Sequence, residues 1–104
     1  MNTVLIIDTT NNKEVIVGLL IGGKKITQKQ PLDTRRAQVV LPMLERMLKE
    51  HNLSLKDLTA VQVNPGPGSF TGIRVGLSIA NTLGFLLQIP VNGKKIGETE
   101  VAVY

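Results

Sequence analysis

With 104 residues the chain is the size of one small domain, and its core must be aliphatic: 42% of it is hydrophobic, yet only Phe70, Phe85 and Tyr104 are aromatic. The absence of cysteine and the single His51 exclude disulfides, thiolate metal sites and histidine clusters. The net charge of +4 is scattered over small pairs such as Lys24-Lys25 and Lys94-Lys95 with no aromatics between them, which favours a solvated surface over a nucleic-acid face.

Residues 3–8 form a continuous apolar run of strand length, the pattern of a strand buried on both faces. The run is short, lacks a basic stretch before it and is interrupted by Asp8, so no signal peptide is expected. A turn at Thr9-Thr10-Asn11-Asn12 leads to a second apolar strand over 14–21, and Gly22-Gly23 closes a tight turn into a more polar strand over 24–30. The lysines of this third strand suit a sheet edge. These three strands predict an antiparallel meander.

A helix is expected over 35–50. Val40, Leu44, Met47 and Leu48 follow helical spacing, with Val39 and Met43 widening the apolar stripe. Pro42 implies either a kink or a regular helix that begins near Leu41. Asn52 suits the helix end, and Ser54-Leu55-Lys56-Asp57 has the pattern of a capping box opening a short turn.

The chain is organised around residues 61–90. A strand at 60–63 runs into Asn64-Pro65-Gly66-Pro67-Gly68-Ser69, stiff at its prolines and permissive at its glycines, and then into a long apolar helix capped by Ser69 or Thr71. Small residues recur every fourth position at Gly72, Gly76, Ala80 and Gly84, so one helix face is a groove almost without side chains. Interior glycines destabilise a helix by roughly 1 kcal/mol each, which implies close approach of another backbone. That backbone belongs either to the chain's first helix or to a helix of a second subunit. The stretch 73–89 carries Arg74, Asn81 and Gln88 and is expected to fall short of a membrane span. Pro90-Val91-Asn92 would start a fifth strand. The order βββαβα(β) predicts an α/β domain with a mixed sheet.

The run Asn64-Pro65-Gly66-Pro67-Gly68-Ser69-Phe70-Thr71-Gly72-Ile73-Arg74-Val75-Gly76 resembles the signature of the bacterial TsaB family, also labelled YeaZ. The opening Val4-Leu5-Ile6-Ile7-Asp8-Thr9-Thr10, Leu41-Pro42 and Leu87-Gln88-Ile89-Pro90-Val91 resemble the same family. The resemblance covers residues 3–93, the first half of a typical member. It implies a single actin-like/ribonuclease-H-like lobe at 1–93, with a tail at 94–104 that departs from the family's next segment.

The resemblance further implies a cytoplasmic, non-catalytic relative of the TsaD/Kae1 subunit of tRNA threonylcarbamoyladenosine synthesis. Such a protein self-associates and binds a TsaD-type subunit, with a TsaE-type ATPase as a further partner, tRNA engaged only indirectly, and no cofactor. On that reading the interface comprises Val39, Val40, Met43, Met47, Gly72, Gly76, Ala80 and Gly84. Arg36-Ala37-Gln38 departs from the His-Ser-Glu common in the family.

Two nucleotide-type features are weak candidates. Asp8 stands where active superfamily members place a carboxylate near metal and phosphate, but the turn after it has no glycine. Gly66, Gly68 and Ser69 precede a helix N-terminus, where free N–H groups favour anions, yet their spacing matches neither G-x-G-x-x-G nor a Walker loop. Prolines 65 and 67 remove two donors from such a cradle. A small nucleotide- or phosphate-binding ATPase lobe is therefore the alternative function, and a truncated, homo-oligomeric remnant is a third.

Overall fold

A computed structural model describes residues 2–31 and 36–103. Strands β1 (Thr3–Asp8), β2 (Glu14–Ile21) and β3 (Lys24–Pro31) form the expected meander, and helix α1 (Arg36–Glu50) leads to β4 (Ala60–Val63) and helix α2 (Phe70–Leu87). The sheet order is β3-β2-β1-β4. β1 pairs antiparallel with β2 and parallel with β4, so the sheet is mixed.

Each strand shows its alternate residues to opposite faces. In β1, Thr3, Leu5 and Ile7 are buried while Val4, Ile6 and Asp8 are only half-buried; in β2, Val15, Val17 and Leu19 are fully buried and Ile16 and Leu20 are not. Both helices join the core formed by the first set, together with Val61 and Val63. The expectation that the first strand is covered on both faces is therefore corrected: among the described elements, only one face has a helical layer. The apolar run misled because half-exposed Val4 and Ile6 are as aliphatic as buried Leu5 and Ile7.

Local chemistry fixes the connections. Gly22 and Gly23, with φ of 55° and 87°, make the two-residue turn between β2 and β3, a backbone shape that glycine adopts without steric penalty. α1 runs through Pro42, whose side is exposed, and ends at Asn52 in the left-handed conformation, with the Leu53 N–H donating to the Leu48 carbonyl at 2.8 Å. The capping-box segment forms a short 3-10 turn at Leu55–Asp57, where the Asp57 carboxylate accepts the Ser54 N–H at 2.8 Å. The fifth strand is reduced to one parallel bridge between Val61 and Val91.

By length and composition α2 is apolar enough to cross a membrane, with a mean hydropathy of 1.4 over 18 residues. Its composition has a local reason: Gly72, Ile73, Gly76, Leu77, Ala80 and Gly84 are buried as the helix packs on the sheet. A Cβ on Gly76 would collide with the Thr9 hydroxyl, and one on Gly84 would lie 2.5 Å from Val91 Cγ2. The glycine groove is thus filled by the end of β1 and by Val91. At Gly76 and Gly84 the close neighbour is therefore not α1.

Candidate functional site

The carboxyl ends of parallel β1 and β4 lie side by side, and three structures meet there: the Asp8 corner, the Gly–Pro loop and the terminal strap. At the corner, Asp8 Oδ1 accepts the Thr10 N–H at 3.0 Å and the Thr10 hydroxyl at 2.7 Å, while Oδ2 accepts the Asn64 amide at 3.1 Å. Partial burial pushes the Asp8 pKa up, but these hydrogen bonds outweigh it and hold the carboxyl below its ordinary value of 3.8. The corner opens on a cleft of about 440 Å³ lined by Ile6, Asp8, Gln62, Asn64 and Asn92 among others.

Thr9 turns the opposite way. It is fully buried, and its hydroxyl donates to the Gly72 carbonyl at 2.5 Å. It therefore pins the first turn of α2 to the end of β1 while its side chain occupies the groove at Gly76. Nothing in the local sequence marks this threonine, because its partner lies 63 residues away.

The Gly–Pro loop spends its donors internally. The Gly66 N–H donates to Asn64 Oδ1 at 3.1 Å, the Ser69 N–H to the Thr10 carbonyl at 2.7 Å, and the Gly72 N–H to Ser69 Oγ at 3.2 Å. Ser69, not Thr71, is the cap of α2. A Cβ on Gly68 would sit 2.6 Å from the Thr10 carbonyl oxygen, so glycine is required there by close packing against β1. Gly66, Gly68 and Ser69 thus build a strand-to-helix corner docked on Thr10. Two of the donors that an anion cradle would present, the Gly66 and Ser69 N–H groups, are thereby engaged within the chain.

Beyond β4, Asn92 takes the place of a strand. Its Oδ1 accepts the Val63 N–H at 2.8 Å and its Nδ2 donates to the Val63 carbonyl at 2.9 Å, the pair of bonds a neighbouring peptide would make. The same amide donates to Glu100 Oε2 at 2.8 Å. Glu100 exchanges two further bonds with the Asn81 side chain on α2, and the Val103 N–H reaches the Pro65 carbonyl at 2.8 Å. Residues 100–103 are therefore strapped across the loop and the helix. The sequence reading placed Asn92 at the start of a fifth strand, and nothing in it marked the strap.

The expected interface residues stand mostly elsewhere than on a surface. Val40, Met43 and Met47 are 0%, 1% and 0% exposed, and Gly72, Gly76, Ala80 and Gly84 are buried in α2; Val39 alone is half-buried. That expectation is corrected. α1 needs its wide stripe because it packs on β2 and α2 at once. Gln38 is exposed, whereas the side chains of Arg36 and Ala37 lie outside the described residues.

The helix pair does present an apolar surface on its outer side. Leu41, 49% exposed, borders a groove of about 440 Å³ floored by Leu44 and Leu48, with Leu55 and Leu83 beside it and Glu45 and Lys49 at its rim. Farther along α2, Phe85 and Leu86 are 67% and 68% exposed. Near its start, Arg74 places its guanidinium over the Phe70 ring, 5.4 Å from the centroid.

The fold and the corner together define an α/β lobe of the actin-like class, and residues 30–94 match the family model described as TsaD: tRNA N6-adenosine threonylcarbamoyltransferase. Among curated relatives, the tRNA threonylcarbamoyladenosine biosynthesis protein TsaB of Haemophilus influenzae is 36% identical over 89 residues, 86% of this chain and 37% of that protein. TsaB of Bacillus subtilis is 33% identical over 103 residues, 96% of this chain and 44% of that protein. The solved structure of YeaZ from Pseudomonas aeruginosa superimposes with a TM-score of 0.83 at 33% identity, over 91% of this chain and 44% of that one. The chain belongs to the TsaB/YeaZ family. It spans less than half the length of each of these relatives.

Proposed function

We propose that this chain is a non-catalytic scaffold in tRNA N6-threonylcarbamoyladenosine synthesis. It would pair with a second copy and engage a TsaD-type catalytic subunit in the cytoplasm, with a TsaE-type ATPase as a further partner. The tRNA would be reached only through the catalytic subunit. The observation that carries this reading is the apolar groove on the outer side of α1 and α2, bordered by Leu41 and Leu83 and contained in the segment that matches the family. A non-catalytic role is supported by the engagement of the Asp8 carboxylate with Thr10 and Asn64, and by the Gly66 and Ser69 N–H groups being engaged within the chain.

Size-exclusion chromatography with light scattering, on the chain alone and mixed with the TsaD-type protein of the same organism, tests this directly. Co-elution as a defined complex, lost in Leu41→Glu, is the expected result. A chain that ignores the TsaD-type protein, or a complex untouched by Leu41→Glu, overturns it.

The alternative, a nucleotide- or phosphate-binding lobe, draws support from the cleft beside Asp8, since ligands of α/β sheets gather at the carboxyl ends of strands. A nucleotide-dependent rise in melting temperature, abolished in Asp8→Ala, would establish it in place of the scaffold.

A further inference from the structure

Between Pro90 and Val103 the chain is held at two places and exposed between them. At the first, Val91 bridges to Val61 and the Asn92 side chain closes Val63. At the second, residues 100–103 lie across the Gly–Pro loop and α2. Residues 95–99 are exposed throughout, and a Cβ on Gly93 or Gly97 would meet nothing within 4 Å. Both glycines stand at positive φ, 73° and 91°, and glycine passes between left- and right-handed backbone without steric penalty.

Residues 100–103 sit in a seat shaped for a main chain. Their side chains alternate: Glu100 and Ala102 are half-buried, while Val101 and Val103 are 67% and 51% exposed. The Asn81 carboxamide donates to the Glu100 carbonyl at 3.0 Å and accepts the Glu100 N–H at 2.9 Å, so it reads the main chain of that residue whatever the side chain. The Pro65 carbonyl accepts the Val103 N–H, and a Cβ on Gly66 would collide with the Val103 carbonyl oxygen. Gly66 is therefore the gap into which the strap's own carbonyl fits. Selection by side chain enters at Glu100, whose carboxylate accepts the Asn92 amide at 2.8 Å and stands 3.8 Å from Lys94 Nζ. It enters again at Ala102, which packs against the core.

Hydrogen bonds rather than burial hold this segment. Each replaces a bond to water and contributes little net, whereas ordering the segment costs conformational entropy. β4 and α2, by contrast, bury Val61, Ile73 and Ala80 completely. The strap therefore opens at a far lower free energy than the fold it lies on.

We infer that residues 94–103 are a hinged latch over a peptide site: turning about Gly93 and Gly97, the strap lifts as one unit from a folded domain and uncovers a seat for an extended segment of a partner protein. That segment has the strap's own chemistry, a glutamate followed two residues later by a small side chain. The latch is defined by residues 93–103 and the seat by Asn81, Pro65, Gly66 and Asn92, independently of what the chain carries beyond them. Neither uses the groove between Leu41 and Leu83.

Amide hydrogen exchange of the intact chain, followed by NMR with and without the capped peptide Thr-Glu-Val-Ala-Val that copies residues 99–103, tests both parts. The Glu100 and Val103 amides are expected to exchange in step, on the order of 100-fold faster than those of β1, which lies between two strands. Asn81→Ala is expected to speed both several-fold and to leave β1 unchanged. Should that variant lose protection in β1 as well, Glu100→Gln, which keeps every main-chain bond, is expected to show the same paired effect. Amides at 100 and 103 as slow as those of β1, or responding separately to both variants, overturn the latch. A segment on a short linker presents itself at an effective concentration on the order of millimolar, and at that concentration the peptide is expected to speed both amides further. A copy methylated on its glutamate nitrogen, which has no N–H for Asn81 Oδ1, should not. A peptide without effect, or a methylated copy that works equally well, overturns the seat.

Discussion

The two faces of the sheet are built from nearly the same residues and have opposite fates. Leu5 and Ile7 are 0% and 1% exposed beneath α1 and α2, whereas Val4 and Ile6, their immediate neighbours in β1, have no helical layer over them among the described residues. Hydrophobicity alone therefore does not say which side of a strand is core. The helices decide it, through an α2 face stripped to glycine and alanine so that Thr9 and Val91 can enter it.

Truncating one residue from each face breaks this comparison most sharply. Leu5→Ala leaves a cavity among fully buried neighbours and is expected to lower stability by about 3 kcal/mol. Ile6→Ala, on the other face, is expected to lower it by about 1 kcal/mol, because its surroundings are half-solvated already. Urea unfolding of the monomeric chain separates the two, and equal losses would mean that the second face is covered in solution.

A smaller effect sharpens the same contrast at the edges. β3 ends the sheet with exposed Lys24, Lys25 and Lys29, while β4 is closed by the carboxamide of Asn92. Asn92→Asp removes the donor to the Val63 carbonyl and sets a carboxylate against Glu100, a change expected to cost about 2 kcal/mol. Faster proteolysis after Lys94 and Lys95 would report release of the strap. Unchanged digestion would show that the strap holds without Asn92.

The smallest expected effect concerns Asp8 on the open side. Asp8→Ala is expected to lose about 1 kcal/mol at pH 7. Since the folded pKa lies below its unfolded value, the unfolded chain binds more protons in acid, and stability falls as the pH drops through the folded value. The gap between wild type and Asp8→Ala should therefore begin to narrow near the ordinary value of 3.8 and close as the pH falls through the lower folded value, and a gap that persists in stronger acid would assign the loss to packing.

Most elements are legible in the sequence. β1, β2 and β4 follow from apolar runs bounded by turn residues, α1 and α2 from helical spacing, and the β2–β3 turn from Gly22-Gly23. What escaped is what faces what. Spacing shows that Gly72, Gly76, Ala80 and Gly84 share a face, but it is silent on whether a helix, a subunit or a threonine hydroxyl fills it. For the same reason Val39 and Met43 read as a stripe wider than one contact needs, although α1 has two separate neighbours, β2 and α2. Asp8, Gly66, Gly68 and Ser69 were recognisable as a corner, yet the direction of the loop's N–H groups depends on Thr10 and Asn64, which no local pattern connects to them.

Asn92 is followed by Gly93, the one Asn-Gly step in the chain. A glycine leaves the next peptide nitrogen unhindered, so it attacks the side-chain amide carbon more readily here than at other asparagines, expelling ammonia to give a cyclic imide that water then opens to aspartate or isoaspartate. While the amide is engaged with Val63 and Glu100, that attack is held back. Each opening of the β4 edge frees it, and the aspartate left behind is the residue that keeps the edge from closing well. The sheet margin thus ages in one direction, and the fraction of chains heavier by one mass unit at position 92 becomes a record of how often the edge has opened.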